Sequence, residues 1–270
     1  MLRETTFEGV IDKELVALER IKQYEPEEGY YVAFSGGKDS IVVYDLVKRA
    51  GVKYDTHFSV TTVDPPEVLQ FIRNYYPEVE WHYPRKSMFR LIKDKRMVPT
   101  RMFRFCCAEL KEIGGAGRTV VVGVRRQESS KRRNRPIYHE SSRQKTKMFL
   151  NPIVDWSEDE VWEYIHKYNL PYPWLSDVGY TRIGCIICPL QGTEGMLKDK
   201  ERYPKYYNAY LLAIKKIMEI KTTKSVTGPD IRDLLHFVDM ATIPLSEIRF
   251  NYPSLRSSHH IGLWRPPHSS

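Results

Sequence analysis

The sequence predicts an α/β fold in which a parallel sheet is covered by helices on both faces. Short apolar runs typical of buried strands alternate with segments in which apolar residues recur at helical spacing. A glycine-rich turn joins the first core strand to a helix, and the composition, 41% hydrophobic and 28% charged, is that of an ordinary globular chain. Because single domains commonly contain about 100–200 residues, a chain of 270 residues allows one large domain or a domain with an appendage.

The elements follow in chain order from apolar spacing and from the residues that start and stop helices. Lys13–Gln23 has apolar residues at helical spacing and predicts an N-terminal helix, and Tyr30–Phe34 predicts a short buried strand. A helix over 41–50 should end at Gly51, and Pro66–Tyr75 predicts a further helix. Four more strands are predicted, at 56–63, 79–83, 119–124 and 148–153.

The C-terminal third is predicted to be largely helical. Ser157 and Glu160 are spaced as a capping box, in which each side chain accepts from the backbone N–H of the other residue, so a helix should span 158–168. Apolar residues at helical spacing predict another helix near 206–218, and a further helix is expected over 229–240.

Three regions follow from this pattern. We expect an N-terminal helical segment over 1–27, an α/β domain over 28–192, and a helical C-terminal region over 193–270 whose tail, 251–270, is loosely ordered. The longest apolar runs are far shorter than the ~20 residues that span a bilayer. The charged segment 1–13 contains no signal-peptide core. We therefore expect a cytoplasmic protein that has no membrane partner.

The net charge of +8 is concentrated in two segments. Residues 85–104 contain eight Lys or Arg against one acid, and residues 125–147 contain nine against two, so the rest of the chain is net negative. Positive charge placed locally predicts an anionic partner such as nucleic acid at these segments. Two solvated charged loops without a partner are the alternative.

The most informative motif is a hexapeptide between the first core strand and its helix. Backbone N–H groups and the helix dipole converge on an anion at such a position, and adjacent glycines let the main chain wrap a phosphate. The spacing matches neither G-x-x-x-x-G-K-[ST] nor G-x-G-x-x-G. A plain strand-to-helix turn is the alternative to a phosphate-binding loop. The predicted loop consists of Ser35, Gly36, Gly37, Lys38, Asp39 and Ser40.

The four cysteines form an unusual pattern, an adjacent pair followed 78 positions later by Cys-x-x-Cys. In a cytosolic protein such a set favours metal ligation over disulfides. Thiolates are soft ligands that select zinc or iron–sulfur clusters. Buried free cysteines are a third interpretation. The candidate ligands are Cys106, Cys107, Cys185 and Cys188.

Both motifs resemble those of known families. Ser-Gly-Gly-Lys-Asp-Ser after a strand resembles the PP-loop of the N-type ATP pyrophosphatases, and the cysteine pattern resembles the 4Fe-4S site of the adenylylsulfate and phosphoadenylylsulfate (PAPS) reductase family. The resemblance covers residues 28–192 and implies a Rossmann-like, adenine nucleotide alpha-hydrolase-like fold. It implies that the loop holds the β/γ pyrophosphate of ATP with bridging Mg²⁺. It also implies that the cysteines hold a 4Fe-4S cluster, with zinc as the alternative.

Further stretches carry the same resemblance. Residues 151–162 and 179–185 are similar to the family's segment that precedes its Cys-x-x-Cys motif. Residues 123–129 resemble the turn at which the family's arginines approach the substrate phosphate or sulfate, and Arg forks suit such oxyanions. The resemblance therefore implies that Arg125 and Arg126 stabilise charge at the α-phosphate.

Other residues receive roles from their place in these motifs. Lys38 and Asp39 are expected to act in catalysis as well as in ATP binding. Lys111 stands where the family often has a basic residue near the cluster. Asp64, at the end of a predicted strand, is expected to contact ribose or Mg²⁺; a turn or helix-capping aspartate is the alternative.

Two departures from the reductases favour ATP splitting. Those reductases attack the sulfonucleotide with a cysteine near their C-terminus, whereas no cysteine follows Cys188 and residues 259–263 read His-His-Ile-Gly-Leu. They also tend to carry a degraded phosphate loop, whereas the loop at 35–40 is intact.

We therefore expect an iron–sulfur ATP pyrophosphatase that splits ATP to AMP and pyrophosphate and supports sulfur transfer, with nucleic acid as a possible acceptor. A sulfur-donor protein similar to a cysteine desulfurase is an expected partner. A sulfonucleotide reductase that uses an external thiol is the first alternative. An ATP-sensing nucleic-acid-binding subunit is the second.

Overall fold

The computed structural model describes residues 1–6 and 9–223, so the predicted helix at 229–240 and the tail at 251–270 lie outside the described residues. The described residues contain a two-stranded hairpin and a six-stranded sheet. The hairpin consists of β1 (Arg3–Thr6) and β2 (Gly9–Asp12), and the sheet of β3 (Tyr30–Phe34), β4 (Tyr54–Ser59), β5 (Glu80–His82), β6 (Thr119–Val121), β7 (Tyr138–Glu140) and β8 (Met148–Leu150).

Helices connect and cover these strands. They are α1 (Lys13–Gln23), α2 (Lys38–Ala50), α3 (Pro66–Tyr75), α4 (Met88–Lys95), α5 (Glu158–Lys167), α6 (Gly192–Arg202) and α7 (Pro204–Thr223), and a π-helical turn spans Cys107–Lys111. None of the helices in the described residues combines the length and the apolar composition needed to cross a lipid bilayer.

The order of the strands positions the site. The sheet runs β5-β4-β3-β6-β8-β7, and all neighbouring strands are parallel except β7, which pairs antiparallel with β8. The chain moves outwards from β3 to β5 and then returns to the other side of β3, so the order reverses between β3 and β6. In open α/β sheets, ligands bind outside the carboxyl ends of the strands at such a reversal. The predicted α/β class is confirmed, and the loops that leave β3 and β6 meet at this edge.

Several strands are shorter than predicted. Strand β4 begins at Tyr54 and ends at Ser59, whereas the prediction extended it to residue 63. Strand β6 ends at Val121, and residues 122–124 line the cavity described below. Periodicity alone does not show where a run of apolar residues leaves the sheet.

Some elements were not predicted at all: the N-terminal hairpin, α4, α6 and the antiparallel edge strand β7. Helix α4 lies inside the basic segment 85–104 and buries only Met88, Leu91 and Ile92. Its N-cap is Ser87, whose hydroxyl oxygen accepts from the Arg90 N–H at 3.3 Å. The predicted N-terminal helix is confirmed as α1, but the hairpin precedes it.

Helix α7 confirms the helix predicted near 206–218 and belongs to the core. Tyr210, Ile214 and Ile217 are buried and pack in one cluster with Ile92 of α4 and with Cys106. The described part of the C-terminal region therefore packs beside the segment that carries the first cysteine pair.

Candidate functional site

A cavity of about 370 Å³ has the glycine loop and all four cysteines in its walls. Ser35, Gly37, Lys38, Asp39 and Ser40 line it after β3, and Gly123 and Val124 line it after β6. The cavity therefore lies where the strand order reverses. Two motifs that are distant in the sequence face the same space.

The glycine loop is organised by its two serines. The Ser40 hydroxyl donates to the Gly37 carbonyl oxygen at 2.8 Å and accepts from the Ser35 N–H at 3.2 Å and from the Ser35 hydroxyl at 3.1 Å. Gly37 is the N-cap residue of α2 and has no capping side chain. Since the N–H groups in the first turn of a helix have no partner within the helix, the start of α2 presents donors to an anion.

Gly36 and Gly123 allow close approaches around this loop. Gly36 has φ +72°, and a Cβ there would lie 3.0 Å from a Val68 methyl carbon. A Cβ on Gly123 would lie 2.7 Å from the Asp39 carbonyl carbon and oxygen. The end of β6 can therefore lie against the start of α2 only because residue 123 lacks a side chain.

Arg125 and Arg126 occupy different positions from those expected. The Arg125 side chain is buried and its Nε donates to the Asp39 carboxylate, while its Nη1 donates to the Gln127 side chain at 3.3 Å. Arg126 is exposed, and its Nε donates to the Arg135 carbonyl oxygen at 3.0 Å. Neither arginine is among the residues that line the cavity. Arg125 thus orients Asp39 from behind the loop.

Asp64 is buried and also lies outside the cavity lining. Its Oδ2 accepts from the Thr61 N–H at 2.6 Å, which closes a turn in which Thr62 has φ +67°. The turn interpretation of Asp64 therefore has a specific hydrogen bond in its support. Thr61 itself lines the cavity, and its hydroxyl oxygen accepts from the Cys185 thiol at 3.4 Å.

The first cysteine pair lies at the start of the π-helical turn. This turn also brings Lys111 to the cavity wall. A hydrogen bond from the Cys106 thiol, with the nearby Lys111 ammonium, lowers the pKa of Cys107 below its ordinary value. The same hydrogen bond and burial raise the pKa of Cys106, and burial raises that of Cys188. The negative potential at Cys185 raises the pKa of Lys111, so this lysine supplies positive charge to the sulfur atoms.

The cysteines are free thiols that surround one space, which suits a group bound by thiolates. The donors are therefore of the type that a thiolate-bound zinc ion or iron–sulfur cluster requires.

Sequence reasoning missed several cationic or polar residues of the cavity. Arg132 lines it and is paired with the Glu128 carboxylate, and Arg182 lies on the segment that leads to Cys185. The Lys38 ammonium donates to the Thr181 carbonyl oxygen at 2.8 Å and lies 3.1 Å from a Glu158 carboxylate oxygen. The sequence signal for this wall is the 179–185 stretch, which carries the family resemblance.

With this geometry in view, comparisons with known proteins give the family. The chain belongs to the phosphoadenosine phosphosulfate reductase domain family, whose model matches residues 29–191. It is 27% identical over 186 residues to the adenosine 5'-phosphosulfate reductase of Bacillus anthracis, which corresponds to 64% of this chain and 80% of that protein.

Two uncharacterized proteins of Methanocaldococcus jannaschii are also similar. One is 31% identical over 224 residues, or 75% of this chain, and the other is 28% identical over 193 residues, or 68%. The chain spans about half the length of these two relatives, 45% and 47%. Among solved structures, the phosphoadenylyl-sulfate reductase from Candida auris is 20% identical, with a TM-score of 0.49 over 64% of this chain and 89% of that chain.

Proposed function

We propose that this protein binds ATP in the cavity, splits it into an adenylate and pyrophosphate, and supports sulfur transfer to an acceptor such as nucleic acid. The observation that carries the proposal is that an intact phosphate-type loop and four cysteines line the same cavity. A loop that holds phosphates and thiols that hold a sulfur-bearing group would then face one bound substrate.

The loop would hold the pyrophosphate end of ATP. The N-terminus of α2 offers N–H groups and a positive dipole end, and Lys38 adds a full positive charge. Mg²⁺ would bridge the phosphates. Asp39 lines the cavity and is held by Arg125, and it would orient the metal-bound phosphates.

The chemistry is attack of an acceptor oxygen on the α-phosphorus. The new oxygen–phosphorus bond forms as the bond to the bridging oxygen of the β-phosphate breaks, and pyrophosphate leaves with that electron pair. Lys38 would stabilise the negative charge that grows on the leaving group, and Arg182 supplies a further cation in the cavity wall. Sulfur would then replace the adenylate on the acceptor.

Cys106, Cys107, Cys185 and Cys188 would hold a 4Fe-4S cluster. The adjacent pair followed by Cys-x-x-Cys, with all four residues in the wall of one cavity, supports the cluster, and a zinc ion is the alternative. Such a cluster would carry or relay the sulfur, and Lys111 would balance its negative charge. A cysteine desulfurase-like protein would supply the sulfur.

The experiment is anaerobic purification followed by iron and sulfide analysis, an absorbance spectrum, and incubation with ATP and Mg²⁺. AMP and pyrophosphate should form, and Lys38→Met should slow their release by about 100-fold or more, the loss typical of removing one group that stabilises transition-state charge. Lys48→Met is the matched control, because Lys48 is exposed near the other end of the same helix. Bound ATP without AMP release, even with acceptor and sulfur donor present, would contradict the proposal and favour an ATP-sensing binding subunit.

The family contains sulfonucleotide reductases, and the similarity to the Bacillus anthracis enzyme favours a second candidate function. In that case the cavity would bind a sulfonucleotide, and an external thiol would reduce it to sulfite. Incubation with adenylylsulfate or PAPS and reduced thioredoxin separates the two functions. Sulfite release without ATP cleavage would establish the reductase, whereas AMP and pyrophosphate without sulfite would exclude it.

A further inference from the structure

A second group of potential ligands lies on the sheet and away from the cavity lining. Among the described residues, His57, Glu80 and His82 form the one group of three or more metal-type side chains whose ligand atoms all lie within 4.8 Å of one another. In the register of β4 and β5, His57 is paired with Glu80 and Ser59 with His82. Since side chains alternate along a strand, these residues share one face of the sheet. None of the three lines the cavity.

The hydrogen bonds around His57 fix which ring nitrogen faces the group. Its Nε2 is bonded to the Asp55 carboxylate, and a carboxylate only accepts, so Nε2 carries the hydrogen. The lone pair of Nδ1 then points towards its neighbours, 2.7 Å from His82 Nε2 and 3.5 Å from Glu80 Oε2. A carboxylate that holds the far nitrogen of a histidine is the usual support of a metal-ligating imidazole.

Other groups hold this arrangement in place. Arg118 donates to the Asp55 carboxylate and also to the Gly29 carbonyl oxygen, the latter at 3.1 Å. The Tyr31 ring stacks on His57 with 3.9 Å between ring centroids. His57 is only 6% exposed, whereas the Glu80 side chain is 66% exposed. One ligand is therefore rigid and buried, and the group is open to solvent on the other side.

We infer that His57 Nδ1, His82 Nε2 and a Glu80 carboxylate oxygen bind a divalent transition-metal ion of the Zn²⁺ class. Two imidazoles and one carboxylate are a donor set for zinc and related ions, and solvent would complete the coordination. In the metal-free protein the short His57–His82 contact contains one hydrogen, which His82 Nε2 donates to His57 Nδ1. Binding replaces this hydrogen by the metal, and the proton moves to the other His82 nitrogen or to solvent.

The ion would connect β4 and β5, which are otherwise joined only by a short stretch of strand pairing. Strands β4 and β5 are paired over only three residues, 57–59 with 80–82, and β5 is at the edge of the sheet. Because the ligands come from both strands, the bound ion would cross-link the edge strand to its neighbour. The site would stabilise the sheet independently of the reaction in the cavity.

The test is a Zn²⁺ titration of the full chain by calorimetry, with elemental analysis after gel filtration. The variants His82→Asn and Glu80→Gln are compared with His166→Asn and Glu140→Gln, in which exposed residues elsewhere are changed. Each protein is also prepared with Cys185→Ser and Cys188→Ser, so that zinc held by the cysteines is distinguished from zinc held by the histidines.

The expected result is one bound Zn²⁺ that persists in the cysteine-substituted protein and in both controls and is lost in His82→Asn. Glu80→Gln should weaken it, and Asp55→Asn should weaken it by about 10–100-fold, as expected for the partner of a ligating histidine. Zn²⁺ should raise the melting temperature of the cysteine-substituted protein but not that of its His82→Asn form. Equal zinc content and affinity with and without His82→Asn would overturn the inference. Because Glu80 is exposed, its variant tests the site even if a histidine variant fails to fold.

Discussion

Gly36 illustrates how one backbone position determines the shape of the glycine loop. It is buried and has φ +72°, a conformation that residues with a side chain rarely adopt. Its neighbour Gly37 has φ −86°, which any residue can adopt. The two adjacent glycines therefore have different reasons to be glycine.

We expect Gly36→Ala to lower the free energy of unfolding by about 1–3 kcal/mol, because it adds backbone strain and a contact with Val68. Gly37→Ala is the control and should cost less than about 1 kcal/mol, since its Cβ would meet only the Ser35 hydroxyl oxygen, at 3.5 Å. Chemical denaturation of both variants measures the difference. Equal losses would show that the conformation of residue 36 is not the constraint.

Gly123 offers a second prediction at the residue scale. An added Cβ would collide with the Asp39 backbone, so Gly123→Ala should displace the start of α2 and weaken ATP binding by at least about 10-fold. Gly184→Ala is the matched control, because residue 184 also lines the cavity but a Cβ there meets nothing within 4 Å. Fluorescent-nucleotide titration compares the two variants. Similar affinity in both would contradict the role given to this close approach.

The candidate site was partly predictable at this scale. The loop at 35–40 and the four cysteines could be singled out because each set has a recognisable local spacing, and the structure brings both sets to one cavity. Arg132 and Arg182 were not found, because isolated arginines in basic or loop segments have no local pattern that points to a cavity. The buried ion pair of Arg125 with Asp39 also depends on the contact between β6 and α2, which is a tertiary property.

At the scale of elements, the N-terminus of α5 shows a predicted cap in detail. The Glu160 N–H donates to Ser157 Oγ at 3.2 Å, and the Ser157 N–H donates to Glu160 Oε2 at 2.7 Å. The Lys13 ammonium donates to Glu160 Oε1 at 2.8 Å. Although burial raises the pKa of Glu160, the hydrogen bonds from Lys13 and Ser157 lower it below its ordinary value. The cap thus also connects α5 to the start of α1.

We expect Glu160→Gln to lower the free energy of unfolding at pH 7 by about 1–3 kcal/mol, because it removes charged hydrogen bonds. A depressed folded-state pKa stabilises the protein above the unfolded value of about 4.3. This contribution is lost as the pH falls through the folded-state pKa. The difference between wild type and variant should therefore shrink below about pH 4. Denaturation from pH 7 to pH 3 measures this, with the exposed Asp159→Asn as control; a difference that stays constant would contradict it.

A helix or strand can be predicted from the sequence when one of its faces is strongly buried, because that face then has a clear apolar pattern. Helix α2 has eight buried residues and a terminal glycine in the left-handed conformation, and both features are visible in the sequence. Helix α6 buries only Met196 and Asp199, so its apolar periodicity is weak. Edge strand β7 has no buried residue, and its pairing with β8 depends on the fold of the intervening chain.

At the scale of the whole molecule, α7 completes the core beside the cysteines. Ile214 is 2% exposed within that cluster, whereas Leu212 on the same helix is 59% exposed. We expect Ile214→Ala to cost about 2–5 kcal/mol of unfolding free energy and Leu212→Ala no more than about 0.5 kcal/mol. Thermal and chemical denaturation test the pair. A cost for Ile214→Ala as small as that of the control would mean that α7 packs only weakly on the rest of the chain.

The two basic segments, 85–104 and 125–147, concern the whole molecule, because a bound nucleic acid would contact both. Part of their charge is withdrawn from the surface, because Lys147 is buried and Arg132 is paired with Glu128. Arg101 and Arg133 are exposed, one in each segment. Met102 and Phe103 are also exposed beside Arg101, which suits base stacking next to a phosphate contact.

Single-stranded DNA or RNA should therefore bind more weakly as salt increases. The variant Arg101→Gln with Arg133→Gln should reduce the slope of log affinity against log salt by about 1–2. Lys205→Gln with Lys215→Gln removes the same net charge from exposed positions on α7 and should leave the slope nearly unchanged. Affinity that is independent of salt would exclude nucleic acid as the partner of these segments.

The lengths of the outermost strands have a consequence for how this protein associates with others. Both edges of the six-stranded sheet, β5 and β7, contain three residues each. So short an edge presents few open backbone groups, and a foreign strand that added to it would gain few main-chain hydrogen bonds. Self-association by strand addition is therefore disfavoured at both ends of the sheet. A partner that docks at either edge of this sheet would therefore bind through side chains more than through main-chain pairing.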